Sequence, residues 1–81
     1  MSEKQPYLLE LSAKAELAFR KLDKPVARHI GKRLKWLAAH AESHKHIALT
    51  GQWRGFYCFR IGDYRAIYRL DLEERVISLK N

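Results

Sequence analysis

Cysteine is nearly missing from this 81-residue chain: Cys58 stands alone, so no intramolecular disulfide can form. That usage suits a reducing compartment, and a cytoplasmic protein is expected. No apolar run approaches the roughly 20 residues that a membrane span needs. Residues 1–6 lack the apolar stretch of a secretory signal, so no membrane role is expected. Acidic residues are scarce too, nine against sixteen Lys and Arg, for a net charge of +7. There is no glycine-rich phosphate loop, no pair of catalytic carboxylates, no internal repeat and no low-complexity segment. What is present is 47% hydrophobic residues, too many for a disordered basic tail. The length suffices for one hydrophobic core and not two, so residues 1–81 are expected to form a single domain. The sign of the charge suggests a phosphate polymer or an acidic protein as partner.

The charge is uneven. Residues 1–40 hold nine basic and four acidic side chains, and residues 41–81 hold seven and five. In the first half the cations suit the solvated faces of helices. In the second half they are nearly all Arg, whose planar fork matches phosphate and carboxylate better than the ammonium of Lys does.

Residues 7–11 read as a short, mostly buried strand, and Ser12 as the N-cap of a helix over 13–22 with Ala15, Ala18, Phe19 and Leu22 on one face. Asp23 and Pro25 restart a second helix over 25–41. There Val26, Ile30, Leu34, Leu37 and Ala41 form an apolar stripe, and Trp36 falls at its edge. Residues 42–52 show no period and read as a loop. The period then becomes two, giving strands over 56–61 and 64–70 around a Gly62-Asp63 turn of type II′. A second turn over 71–74 leads to a last strand over 75–79. The expected class is α+β, in the order β-α-α-β-β-β, with a helical hairpin on one face of a mostly antiparallel four-stranded sheet.

Alternation along the strands separates two faces. Tyr57, Phe59, Ile61, Ala66, Tyr68, Leu70, Ile77 and Leu79 belong under the helices. The other set leaves an open face bearing Arg60, Arg65, Arg69 and Lys80, interleaved with Phe56, Cys58, Ile67 and Val76. Antiparallel sheets often keep one wet face. This one, however, is basic without matching acids and keeps an aromatic ring suited to stacking on a base. His40, His44 and His46 lie in or beside the 42–52 loop with no cysteine near them, and read as solvated side chains. No metal or cofactor is expected. Trp53 reads as a lid on the core, and Cys58 lacks the neighbouring base that a thiol nucleophile needs.

The stretch Leu49-Thr50-Gly51, followed by Phe56-Tyr57-Cys58-Phe59-Arg60-Ile61-Gly62-Asp63-Tyr64-Arg65-Ala66-Ile67-Tyr68, resembles the RelE/ParE toxin superfamily. The order of elements and the basic charge agree over essentially the whole chain. The resemblance implies the toxin half of a bacterial toxin–antitoxin pair. In the RelE branch it implies metal-independent cleavage of mRNA in the ribosomal A site, with a ribose 2′-OH attacking the adjacent phosphate. Arg65 matches the family's hairpin arginine and Arg60 a position usually basic in that branch; both are implied catalytic residues. Arg54, Arg69, Lys80 and Phe56 are candidates for RNA binding.

Two departures stand out. Cys58 occupies a position where the RelE branch often has a catalytic Lys. Asn81 falls about where the family continues into a V-G-[HK]-R segment and a tyrosine-bearing tail. His46 or Lys45 substitutes only if its loop folds over the sheet. The alternatives are a ParE-like toxin that inhibits DNA gyrase without nuclease activity, and a degenerate remnant that only binds antitoxin or RNA. The expected protein partner is an acidic, partly disordered antitoxin that masks the sheet face.

Overall fold

The computed structural model describes residues 6–80. The chain runs through β1 (Leu8–Leu11), α1 (Ala13–Arg20), α2 (Lys24–Ala39), β2 (Ile47–Ala48), one 3-10 turn (Gly51–Trp53), β3 (Tyr57–Ile61), β4 (Tyr64–Asp71) and β5 (Val76–Leu79). Ser12 caps α1 as expected: the Ala15 amide donates to its hydroxyl at 3.0 Å. That hydroxyl also donates to the Lys80 carbonyl at 2.9 Å, and the Ser12 amide donates to the Leu79 carbonyl at 2.9 Å. One residue thus starts the helix and holds the end of β5. Asp23 occupies the N-cap of α2 with Pro25 in the first turn, but its carboxylate makes no capping bond.

All strands join one sheet in the order β1-β5-β4-β3-β2. β1 runs parallel to β5, and the remaining pairs are antiparallel. The sheet therefore has five strands where four were expected. The addition, β2, comes from the segment read as a loop: Ile47 pairs with Cys58 and Ala48 with Tyr57. Two residues are too few to show a period of two, which is why β2 escaped notice. β1 also differs from expectation. It is an edge strand with Leu8 60% and Leu11 41% exposed, while the buried residue is Tyr7 just before it.

The two faces separate as the alternation requires. Phe59, Ile61, Ala66, Tyr68, Ile77 and Leu79 join Ile30, Leu34, Leu37 and Ala38 of α2 and Ala15 of α1 in the core. Tyr68, Leu37 and Ile77 are wholly buried. At about 1.5–3 kcal/mol for each large apolar side chain, this set fixes the register. A slip of one residue would send every one of them to solvent. Gly62 has φ +59 at the tip of the β3–β4 hairpin and Asp63 has no positive φ, as a type II′ turn requires. Among the described residues, no helix is long and apolar enough to cross a membrane.

Candidate functional site

The short Gly62-Asp63 loop makes Ile61 and Tyr64 the closing hydrogen-bonded pair of the hairpin. Arg60 and Arg65, the next register pair, then fall at the closer non-hydrogen-bonded spacing, with Cα atoms about 4.5 Å apart. Both side chains are exposed. Among the described residues neither has an ion-pair partner. The register thus sets the two arginine positions side by side on the open face.

Register extends the site in rows across the sheet. Ile67 stands opposite Cys58, which stands opposite Ile47. The Lys80 amide donates to the Ile67 carbonyl at 2.6 Å, which brings Lys80 into the same row. Lys80 is therefore a diagonal neighbour of both Arg65 and Arg69, at steps of about 7–8 Å. Arg65, Lys80 and Arg69 form a zigzag of exposed cations along β4 and β5. Arg69 pairs with Ser78, and its guanidinium lies 5.5 Å from the centre of the Phe56 ring. Arg54 is exposed at the end of the 3-10 turn and joins neither group. Structure thus brings Arg60 to Arg65 and Arg69 to Phe56, links the two through Lys80, and leaves Arg54 apart.

Two features of the face escaped sequence reasoning. Trp53, read as a core lid, is outside the core and packs edge-on against Phe56 with centroids 5.5 Å apart. The face is also not free of acids. Glu10 pairs with Ser78 through the parallel β1–β5 register, and Asp71 pairs with Val76. Both carboxylates lie toward the β4–β5 turn, away from Arg60 and Arg65. The Glu10 position depends on a pairing between distant segments, which no local pattern reveals. Cys58, half-buried between two isoleucine positions, fills the middle of the face.

His44 and His46 depart from the solvated reading, whereas His40 is exposed. Because Ile47 faces the open side, His46 turns to the covered side. Its Nε2–H donates to the Ala41 carbonyl at 2.6 Å, and its Nδ1 accepts the Tyr68 hydroxyl. The carbonyl has no proton to give, which places a hydrogen on Nε2. Burial first, then Cys58 and Tyr57, push the Tyr68 phenol well above its usual range, so it stays a donor. His44 sits edge-on to His46, with centroids 5.1 Å apart, and to Phe59. Its pKa is lowered by burial, then by the charges of His46, Arg33 and His40. Arg33 lies 4.9 Å over the Trp36 ring. This cluster stitches the end of α2 to the sheet and leaves no imidazole beside Arg60 and Arg65.

Comparison with known proteins bears on the same region. A family model described as the ParE toxin of the type II toxin–antitoxin system parDE matches residues 9–80. No curated protein sequence matches significantly. Among solved structures, the fold is similar to a chain of the RelBE2 toxin–antitoxin complex of Mycobacterium tuberculosis, with TM-score 0.81, 21% identity and 93% of each chain covered. It is also similar to a chain of the archaeal RelE–RelB complex of Pyrococcus horikoshii, with TM-score 0.75 and 25% identity over 95% of this chain and 92% of that one. A third likeness is to a chain of the YoeB–YefM heterotetramer of Staphylococcus aureus, with TM-score 0.68 and 21% identity over 95% and 94%.

Proposed function

This chain belongs to the ParE toxin family of type II toxin–antitoxin systems, and from that premise we propose that it arrests translation by cleaving mRNA in the ribosomal A site. The observation that carries the reading is the exposed Arg60–Arg65 pair, set opposite each other without carboxylate partners among the described residues. In the proposed reaction the ribose 2′-oxygen forms a bond to the adjacent phosphorus and the bond to the 5′-oxygen breaks. The products are a 2′,3′-cyclic phosphate and a 5′-hydroxyl. Negative charge grows on the non-bridging oxygens as the phosphorus becomes five-coordinate. Two guanidinium groups suit that charge, and donors aimed at such a charge contribute about 10²–10³ each in rate. Arg65 and Arg60 are the proposed catalytic residues, with Lys80 and Arg69 binding the backbone and Arg54 supplying a peripheral contact.

Arginine cannot take up the 2′-hydroxyl proton. With His44 and His46 on the covered side, proton transfer falls to water or to the ribosome. The test is primer extension on a message translated in a purified system with the protein added. Cleavage within A-site codons is expected, and an uncut message at saturating protein overturns the reading. A second reading, inhibition of DNA gyrase, is favoured by Cys58 at the position of the RelE-branch lysine and by the placement of His44 and His46 on the covered side, away from the arginines. Normal supercoiling by gyrase in the presence of the protein eliminates it.

The proposed protein partner is an acidic, partly disordered antitoxin. The solved relatives named above include toxin–antitoxin complexes. The basic face here, with Leu8 and Ile47 each 60% exposed on its two edge strands, suits masking by charge and apolar contact together.

A further inference from the structure

Trp53 and Phe56 are the aromatic residues on the open side of the sheet that the core does not use. The Phe56 backbone is pinned at both ends: its amide donates to the Trp53 carbonyl at 3.0 Å, and its carbonyl accepts from Leu49 at 2.9 Å. The Trp53 ring meets its edge at 82°. A ring held this firmly is a fixed base for whatever lies on it, and what lies on it is the Arg69 guanidinium. The guanidinium carbon sits over the Phe56 ring, 5.5 Å from its centre, and the Arg69 side chain is exposed. An attraction of this kind orients the guanidinium. The outer face is then a rigid, charged shelf of the shape on which nucleobases stack.

The shelf sits well placed for a nucleotide. Phe56 and Arg60 are four residues apart on the same face of one strand line, roughly 13 Å. Lys80 lies on the diagonal between Arg69 and Arg65. A strand whose scissile phosphate meets Arg60 and Arg65 can thus set the next phosphate near Lys80 and a base over Arg69.

We propose that Trp53, Phe56 and Arg69 form a stacking platform for one unpaired base of a single-stranded RNA, beyond the phosphate-binding arginines. It rests on the reading of the open face as an RNA surface. Stacking uses the π-face common to all bases, so the platform tolerates any base identity. Paired RNA keeps its bases stacked within the duplex and gains nothing from it.

The test is fluorescence anisotropy of the full chain, without ribosomes, on a short oligouridylate and on an abasic ribose-phosphate strand of equal length. Wild type is expected to bind the oligouridylate about tenfold more tightly than the abasic strand. Arg69→Lys keeps the charge but loses the plane. It is expected to lose that tenfold preference, with a smaller change on the abasic strand, where the retained charge still meets the backbone. Phe56→Leu should lose the same preference, and the double variant no more than either alone. Thermal melts followed by circular dichroism establish that each variant is folded, and Arg69→Lys, at an exposed position, keeps the test valid if Phe56→Leu is not. Equal wild-type affinity for both strands, or an equal loss by Arg69→Lys on both, overturns the platform. Ribosomal cleavage is read separately: an uncut message with the base preference intact overturns the proposed function and leaves the platform standing.

Discussion

Arg60 and Arg65 occupy directly opposed positions, where like charges disfavour the fold. A pair kept at that spacing without a carboxylate between them is poised for an anion. Replacing one should therefore stabilise the protein while removing activity. Arg65→Gln is expected to raise the melting temperature by about 2 °C and to slow cleavage about 10²–10³-fold; calorimetry and primer extension measure the two effects independently. A fall in melting temperature would show that Arg65 has a structural role that the register does not reveal. His44 supplies the pH dependence. Its folded pKa lies below the unfolded value of 6.5 because burial and three nearby groups disfavour the imidazolium. The unfolded chain therefore binds the proton first. His44 leaves stability intact above about pH 6.5 and erodes it as pH falls from there toward the folded value. Denaturant midpoints between pH 8 and 5 should decline for wild type and decline less for His44→Phe, at about the pH of the unfolded imidazole.

At the scale of elements, each functional side chain depends on a junction. Ser12 joins β1 to α1 and donates to the Lys80 carbonyl just beyond β5. Ser12→Ala removes the cap and should cost about 1 kcal/mol in urea unfolding; it should also loosen Lys80, seen as faster amide exchange there. Gly62 fixes the Arg60–Arg65 pairing through φ +59 with open space around its Cα. Gly62→Ala meets no clash, so its cost is conformational, about 1 kcal/mol. A neutral result in the same unfolding experiment would mean that the turn relaxes to another type. The hairpin and its two faces were legible because alternation is local and the turn has a sequence signature. β2 was not legible, since a two-residue strand exists only by virtue of the β3 edge it pairs with. Trp53 was misplaced for a similar reason: an aromatic in a loop looks the same in sequence whether it covers a core or a surface ring.

Across the whole molecule the charge of +7 resolves into a directional field. The open face is cationic from Arg60 and Arg65 through Lys80 to Arg69, then turns acidic at Glu10 and Asp71, with Glu73 and Glu74 in the adjoining turn. An RNA strand is drawn to one end and repelled from the other, which orients it before contact. Four phosphate contacts imply a log–log salt slope of about −3 for a short single strand. Titration across ionic strengths checks this, and a slope near zero would remove the open face as the binding surface. The helical cations contribute to long-range attraction and little to that slope.

The amino-acid sequence determined the two-faced hairpin, the Ser12 cap and the identity of the Arg60–Arg65 pair, because these follow from periods of 2 and 3.6 and from capping and turn chemistry over a few residues. Tertiary structure alone decided which partners those residues meet. The parallel docking of β1 on β5 brought Glu10 to the open face, β2 turned His46 inward to Tyr68, and the path into β3 set Trp53 against Phe56 under Arg69. Each of these depends on segments far apart in the chain or on backbone geometry outside any regular period, where side-chain spacing carries no information.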